Sequence, residues 1–249
     1  MSLPLAGRRI LVTRAAEQSD ELRTGLEADG ARVVVVPVLA FVDPESWAPA
    51  DAAIAALAGY DAVVFTSVNG VERFFARVGK SVAIPKAFAV GSRTAAALSA
   101  RGVLVESLPE EFRGEALAPL VAGAKRVLLP RAQDGRDATL EALRATGAHV
   151  DAVPVYRTVI PEGARESLLA AFRTRFDAVV LASPSAATHL VELLGGLAAT
   201  RAALGTASIA AIGPVTAARC EALGIPAAIV PSRYTAADLA AALDAHLRS

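Results

Sequence analysis

Small polar residues follow several apolar runs of strand length in this chain, and their groups could bind an anion. In parallel α/β sheets the residues after each strand meet at one edge, where ligands bind. Hydroxyl groups and glycines there can begin a helix and leave backbone N–H groups pointing outward, which suits a carboxylate or a phosphate. Helix capping alone is the alternative for any single turn, and mirrored turns in both halves favour binding. The residues predicted to bind an anion are Thr66, Ser67, Asn69, Gly70, Gly91, Thr94, Ser183, Ser185, Gly213 and Thr216.

Two arginines occupy matching positions at the ends of two predicted strands. Arg14 and Arg131 could each bind a carboxylate through paired N–H donors, so both are predicted substrate-binding residues. A surface arginine can also simply lie along apolar surface. Asp61 and Asp177 open the segment DAVV at the opposite end of their strands, and we assign them to turns.

The chain lacks the motifs of nucleotide, metal and nucleophilic chemistry. Neither GxxxxGK[ST] nor GxGxxG occurs where a phosphate loop would need it, and no GxSxG segment is present. The three histidines and Cys220 show no metal-ligand spacing. We therefore predict no cofactor and no metal, with hydroxyls, arginines and backbone amides as the working groups.

The sequence contains two copies of one α/β unit. Matched residues include Arg14 and Arg131, Gly30 and Gly147, and Pro37 and Pro154. Repeated units of this kind place a ligand naturally between them. The corresponding segments are 9–38 and 126–155, 61–70 and 177–186, 88–102 and 210–224, and 108–121 and 230–243.

Apolar runs alternate with amphipathic segments, which predicts five parallel strands in a flavodoxin-like order for each copy. Helices are expected over Asp20–Asp29 and Asp137–Thr146, ending at Gly30 and Gly147 in the left-handed conformation. The predicted strands are Ile10–Thr13, Val33–Pro37, Ala62–Thr66, Ala87–Val90 and Leu104–Glu106, then Val127–Pro130, Val150–Val153, Ala178–Ala182, Ser208–Ile212 and Ala228–Val230.

Two segments, 38–49 and 154–165, interrupt this alternation at the same place in each copy. Both combine β-favouring residues with prolines, so they are either extended linkers that pair as a ladder or ordinary surface loops. The expected fold class is α/β, with two flavodoxin-like parallel-sheet lobes joined by a two-stranded linker and a cleft between them.

Composition restricts the partners and the compartment. With 25 basic and 25 acidic residues the net charge is zero, so we expect neither nucleic acid nor membrane as a partner. No apolar run reaches the roughly 18 to 20 residues of a membrane span, and the N-terminus does not read as a signal peptide. A single cysteine excludes an internal disulfide. A cytoplasmic location is the resulting prediction.

The ordered motifs resemble the uroporphyrinogen III synthase family over essentially the full length. They are ILVTR with a downstream glutamine, FTSVNGV, AVGSRTA, LLPRA, VYRT, ASPSA, AIGPVTA and YTAADL. The resemblance implies that the chain starts in one lobe, builds the other, and returns. Residues 1–37 and 161–249 would form one lobe, 43–153 the other, and 38–42 and 154–160 the linker strands.

The resemblance also implies a cofactor-independent, cyclising hydro-lyase of tetrapyrrole biosynthesis, which leads to haem, sirohaem and cobalamin. Its substrate would be hydroxymethylbilane, a linear tetrapyrrole with eight carboxylates, which is closed into uroporphyrinogen III with inversion of ring D and loss of water. A monomer in transient contact with the enzyme that forms hydroxymethylbilane is expected. The alternative is a non-catalytic two-lobed binding or regulatory protein for a small polycarboxylate.

Tyr156 matches the residue proposed as general acid in this family, and its counterpart in the first copy is Leu39. A phenol with a pKa near 10 stays protonated at neutral pH and can donate to a leaving hydroxyl. The alternative is an aromatic residue that only packs in the linker. The chain departs from many relatives at Ala15, where they have proline, and its second copy reads SPSA where the first reads SVNG.

Overall fold

The chain folds into two compact units. The computed structural model describes residues 3–15, 19–79, 83–110, 113–135, 137–233 and 235–248. The first unit comprises Met1–Ala40 and Val159–Ser249, and the second comprises Phe41–Thr158. Gln18 and Tyr234, which belong to two of the sequence motifs, lie outside the described residues.

Strands and helices alternate along most of the chain. The strands are β1 (Arg9–Val12), β2 (Arg32–Val35), β3 (Ala40–Val42), β4 (Ala62–Phe65), β5 (Lys86–Ala89), β6 (Arg126–Ala132), β7 (His149–Val159), β8 (Ala178–Leu181) and β9 (Ser208–Ala211). The helices are α1 (Asp20–Ala28), α2 (Ala48–Ala55), α3 (Val68–Val78), α4 (Ser92–Ser99), α5 (Ala138–Ala145), α6 (Ala164–Ala171), α7 (Pro184–Leu193), α8 (Leu197–Leu204), α9 (Pro214–Ala222) and α10 (Ala236–Arg248). Short 3₁₀ helices span Leu57–Gly59, Gly114–Leu117 and Pro119–Val121.

Each unit is built on one sheet with a core of four parallel strands. The first unit's sheet has the order β2-β1-β8-β9, and the second unit's has the order β3-β7-β6-β4-β5. Within the second, the four strands β7-β6-β4-β5 pair in parallel and follow the same connectivity as the first unit's four strands. This order is flavodoxin-like and confirms the predicted α/β fold class. Each sheet therefore contains strands from both sequence repeats.

The prediction of a fifth strand in each copy is wrong. Leu104–Glu106 and Ala228–Val230 form only isolated parallel bridges, which join Val105 to Ala87 and Ile229 to Ala210. Both lie at a sheet edge, where Leu104 is 89% exposed and Val230 is 41% exposed. Because the outward residues are not covered, these segments stop after one pairing position.

The longest strand, β7, extends well beyond its predicted end at Val153. It runs over 11 residues to Val159, and the three-residue strand β3 is its neighbour in the sheet. Both segments come from the stretches that interrupt the sequence alternation. The second sheet therefore carries an additional edge strand that the first sheet lacks among the described residues.

The central strands are buried because helices cover both faces of each sheet. Every residue of β4 and of β8 is buried, which explains their uninterrupted apolar sequences AVVF and AVVL. In the second unit, alternate residues of β4 enter two separate core clusters. Phe65 packs with Phe74 in one cluster, and Val64 packs with Leu129 in the other.

Glycines in the left-handed conformation follow two of the helices. Gly30 and Gly147 follow α1 and α5 with φ of 92° and 88°, as predicted for the left-handed position that favours glycine. Among the described helices, none is long and apolar enough to cross a membrane.

An aspartate aligns neighbouring strands at the amino end of each sheet. The Asp61 carboxylate accepts N–H bonds from Lys125 and Arg126 at 2.7 and 2.9 Å, where β6 begins. The Asp177 carboxylate accepts the Arg9 N–H at 2.8 Å, where β1 begins. In each case the aspartate and the strand that it holds come from different repeats.

Candidate active site

Tyr156 lies on β7 at an irregularity in the second unit's sheet. The register of β6 against β7 places Arg131 opposite Pro154 but Ala132 opposite Tyr156, so β7 contains one extra residue. The Tyr156 carbonyl accepts the Gln133 N–H at 2.7 Å just beyond this point. An extra residue of this kind bends a strand and redirects the following side chains, often beside an active site. The bulge thus sets the direction of Tyr156.

Ser67 is the nearest polar partner of Tyr156. The two side-chain oxygens lie 3.2 Å apart, and either can donate the hydrogen bond. Ser67 is also the N-cap of α3, with its Oγ accepting the Gly70 N–H at 3.0 Å. Ser67 follows β4, so its position is fixed by the end of a buried strand and the start of a helix.

The Tyr156 phenol is nearly enclosed. It is 7% exposed, and its ring meets Phe41 of β3 edge to face, with centroids 5.7 Å apart. Burial raises the pKa of Tyr156 above its usual value, while the Ser67 hydrogen bond and the positive charge of Arg131 lower it in part. The phenol is consequently protonated at neutral pH and able to act as a proton donor.

Arg131, one of the two predicted carboxylate-binding arginines, is held by its own loop. Its side chain is 12% exposed, and Nη1 contacts the Asp137 carboxylate at 2.9 Å. Nη2 donates to the Gly135 carbonyl. Arg131 also lines a cavity of about 680 Å³ together with Arg126 and Arg144. The guanidinium is therefore pre-positioned beside a space that a carboxylate could enter.

The second unit brings its predicted binding residues to the carboxyl edge of one sheet. Thr66, Ser67, Asn69 and Gly70 follow β4, while Gly91 is the extended N-cap of α4 directly after β5. Thr94, in the first turn of α4, is only 5% exposed.

The first unit carries the other predicted residues at the same edge of its own sheet. Ser183 caps α7 and accepts the Ala186 N–H at 3.1 Å, and Ser185 is exposed. Gly213 is the extended N-cap of α9, and Thr216 behind it is 3% exposed. Arg14, just beyond β1, is half-buried. The predicted residues thus form two sets, one in each unit.

Sequence reasoning missed the contact between Ser67 and Tyr156 and the role of Phe41. The contact joins residues 89 positions apart. One available signal was that Ser67 follows one strand and Tyr156 lies on another strand of the same sheet, both near its carboxyl edge. Phe41 had a weaker signal, an aromatic residue in the segment expected to pair with the one containing Tyr156. Within the described part of the chain, no group of three or more His, Cys, Asp or Glu side chains could hold a metal ion.

These features define a protein of two flavodoxin-like α/β units with anion-suited helix starts in both and a buried phenol in one. A family model described as uroporphyrinogen-III synthase HemD matches residues 5–241. The uroporphyrinogen-III synthase of Synechococcus elongatus is 33% identical to the chain, over 97% of the chain and 96% of the relative. The chain belongs to the uroporphyrinogen-III synthase family.

Solved structures show the same fold. A mutant uroporphyrinogen III synthase from Thermus thermophilus aligns with a TM-score of 0.70 at 20% identity, over 97% of this chain and 98% of that one. The uroporphyrinogen-III synthetase of Helicobacter pylori aligns with a TM-score of 0.65 at 18% identity, over 97% of this chain and all of that one, 100%.

Proposed function

We propose that this protein converts hydroxymethylbilane into uroporphyrinogen III. The reaction closes the linear tetrapyrrole, inverts ring D and releases one water. Membership of the uroporphyrinogen-III synthase family supports this activity. The observation that carries the mechanism is the buried Tyr156 phenol, 3.2 Å from the Ser67 hydroxyl at the carboxyl edge of a parallel sheet.

Tyr156 is the proposed general acid. Departure of the hydroxymethyl oxygen needs a proton, and it leaves a cationic azafulvene that ring D then attacks. A phenol kept neutral by burial can supply that proton at neutral pH. Ring D attacks through its substituted carbon, and the resulting spiro intermediate opens and recloses in the inverted sense.

Substrate binding is assigned to the anion-suited groups of both units. Eight carboxylates require many donors, and hydroxyls, arginines and helix N-termini supply them without bound cofactor chemistry. The proposed contacts are Arg14, Thr66, Ser67, Asn69, Gly70, Gly91, Thr94, Arg131, Ser183, Ser185, Gly213 and Thr216.

The test is the isomer made from freshly generated hydroxymethylbilane. The products are oxidised and the porphyrin isomers are separated by chromatography. Because uncatalysed closure gives the non-inverted type I isomer, we expect type III to rise with protein concentration. Formation of type I alone at every protein concentration would contradict the proposed activity, and heat-unfolded protein serves as the control.

A cytoplasmic monomer that contacts the hydroxymethylbilane-forming enzyme transiently is part of the proposal. The single cysteine, buried and free, suits a reducing compartment. The spontaneous closure of the substrate to the wrong isomer favours a short path between the two enzymes. The predicted division into lobes and linkers is supported by the two compact units and stays a prediction. One lobe would comprise residues 1–37 and 161–249, the other 43–153, and the linker strands 38–42 and 154–160.

A further inference from the structure

We propose that Ser67 is a positioning residue, whose hydroxyl donates to the phenolic oxygen of Tyr156 and so directs the phenol proton toward the substrate. The same hydrogen bond would stabilise the phenolate after the proton has left. This inference rests on the proposed function, in which Tyr156 is the general acid. It gives Ser67 a role distinct from binding a substrate carboxylate.

The contacts of Ser67 leave its hydroxyl hydrogen available to Tyr156, and we assign the direction of the hydrogen bond on that basis. A serine hydroxyl has one hydrogen and two lone pairs. The Gly70 N–H, 3.0 Å away, occupies one lone pair. The Tyr156 oxygen, 3.2 Å away, can then receive the serine hydrogen. In the opposite arrangement the phenol proton would point to Ser67 and would not be available to the substrate.

Both oxygens are held in place by their surroundings. Ser67 is fixed by its capping bond, and a Cβ added at Gly70 would come within 3.2 Å of Ser67 Oγ and 3.4 Å of the Pro130 carbonyl. The Tyr156 ring is fixed by Phe41 and by its position on the bulged strand. The pair is therefore ready before substrate binds, which is what efficient proton transfer requires.

The proton balance of the reaction explains why the phenolate needs support. The C–O bond of the hydroxymethyl group breaks; the hydroxyl oxygen keeps the electron pair, takes the phenol proton and leaves as water. After the final C–C bond forms, the free carbon of ring D loses a proton as the pyrrole becomes aromatic again. No net proton is consumed, so Tyr156 can recover this proton. Until then the phenolate persists, stabilised by Ser67 and by the charge of Arg131.

A purely structural capping role is the alternative, and Ser183 provides a matched comparison. It caps α7 in the first unit with the same geometry, accepting the Ala186 N–H at 3.1 Å. Loss of either cap should therefore lower the stability similarly. Only loss of the Ser67 hydroxyl should change the titration of Tyr156.

The experiment compares Ser67→Ala, Ser67→Thr and Ser183→Ala with the wild type. Protein labelled with ¹³C at tyrosine Cζ is titrated by NMR from pH 8 to 12, and Tyr156→Phe assigns the Tyr156 signal. Urea unfolding measures the cost of each lost cap. Steady-state rates of type III product formation against pH separate kcat from KM.

Ser67→Ala should move the Tyr156 titration to higher pH, because the donor that favours the charged form is gone. Its kcat should fall roughly ten- to a hundredfold, as expected when a hydrogen bond to a developing charge is removed. Ser67→Thr keeps a hydroxyl and should restore most of both properties. Ser183→Ala should lose stability to a similar degree and leave the Tyr156 titration as in the wild type.

Two results would overturn the positioning role. One is a Tyr156 titration in Ser67→Ala that coincides with the wild type. The other is a shifted titration with an unchanged kcat. Failure of the proposed function has a different signature, since the wild type itself would then form only the type I isomer, and the positioning role of Ser67 would fall with it.

Discussion

The two units match closely at the amino ends of their sheets and differ at the carboxyl ends. At the amino ends, the Arg9 guanidinium lies 4.1 Å from the Phe176 ring centroid, and the aligned Arg126 lies 4.7 Å from that of Tyr60. Asp177 and Asp61 hold neighbouring strands there in the same way. This end of each unit repeats one structural solution, which stabilises the fold.

The carboxyl ends share a capped helix but differ in what meets the capping serine. Ser183 and Ser67 each cap the helix that follows a buried strand. Ser67 also meets the Tyr156 phenol, whereas the first copy has Leu39, 5% exposed, at the position aligned with Tyr156. Duplication thus explains the helix caps that the two units share, and the departure from it at Tyr156 marks the proposed chemistry.

The strongest way to break this comparison is Tyr156→Phe, which removes the hydroxyl that distinguishes the second unit. Turnover should fall at least about a hundredfold, the lower end of what general acid catalysis contributes. The phenyl ring keeps its packing against Phe41, so the fold should persist. Initial rates of type III product formation measure the effect, and circular dichroism checks the fold. Near-normal turnover of well-folded protein would exclude tyrosine as an essential acid.

Tyr60→Phe is the control for that substitution. Tyr60 is also buried in the second unit, at 6% exposed, and its hydroxyl donates to the Asp151 carboxylate at 2.7 Å. It lies at the amino end of β4, away from Ser67, and although it lines the same cavity as Arg131, its hydroxyl is engaged by Asp151. Turnover of Tyr60→Phe should therefore stay near the wild-type value.

A smaller effect on turnover is expected when each residue whose N–H donates to a capping serine is replaced by its counterpart in the other unit. Gly70→Ala adds a Cβ that must displace Ser67 Oγ by a few tenths of an ångström. Turnover should fall roughly three- to tenfold, because small misplacements of catalytic groups are costly. The reciprocal Ala186→Gly should instead lower the free energy of unfolding by about 0.5–1 kcal/mol through helix propensity. Kinetics and urea unfolding measure the pair, and equal turnover losses would contradict the assigned difference.

The smallest expected effect concerns stability at high pH. Burial, and next the hydrogen bond with Asp151, raise the pKa of Tyr60 to about 12. Since an unfolded tyrosine ionises near pH 10, stability from this group is complete below pH 10 and is lost as the pH rises toward 12. Tyr60→Phe makes the second unit resemble the first, where Phe176 stands. Its urea unfolding should depend less steeply on pH between 10 and 12, and an unchanged slope would contradict this account.

Sequence patterns predicted the central strands because burial on both faces produces uninterrupted apolar runs. AVVF and AVVL are such runs, and β4 and β8 are their strands. The segments around Val105 and Ile229 have similar composition, but they lie at edges, where pairing depends on tertiary contacts rather than on composition. Pattern alone could not separate these cases.

The sequence placed the candidate site residues at the ends of strands, but it did not indicate their contacts. The resemblance suggested Tyr156, and the position after β4 suggested Ser67. The bulge on β7, opposite Arg131 and Ala132 of β6, determines which way Tyr156 points, and it depends on backbone register, which side-chain alternation does not report. Likewise, nothing in the sequence showed that Arg131 is held by Asp137 and Gly135 of its own loop.

The mixed origin of the sheets has a consequence for any single repeat. β1 and β2 pair with β8 and β9 in one sheet, while β4 and β5 pair with β6 and β7 in the other. One repeat expressed alone would hold two pairs of strands whose partners in the sheets are absent, so the apolar edges of short central strands such as β1 and β4 would be exposed. Separately produced halves of the chain should therefore be less soluble alone than when they are mixed.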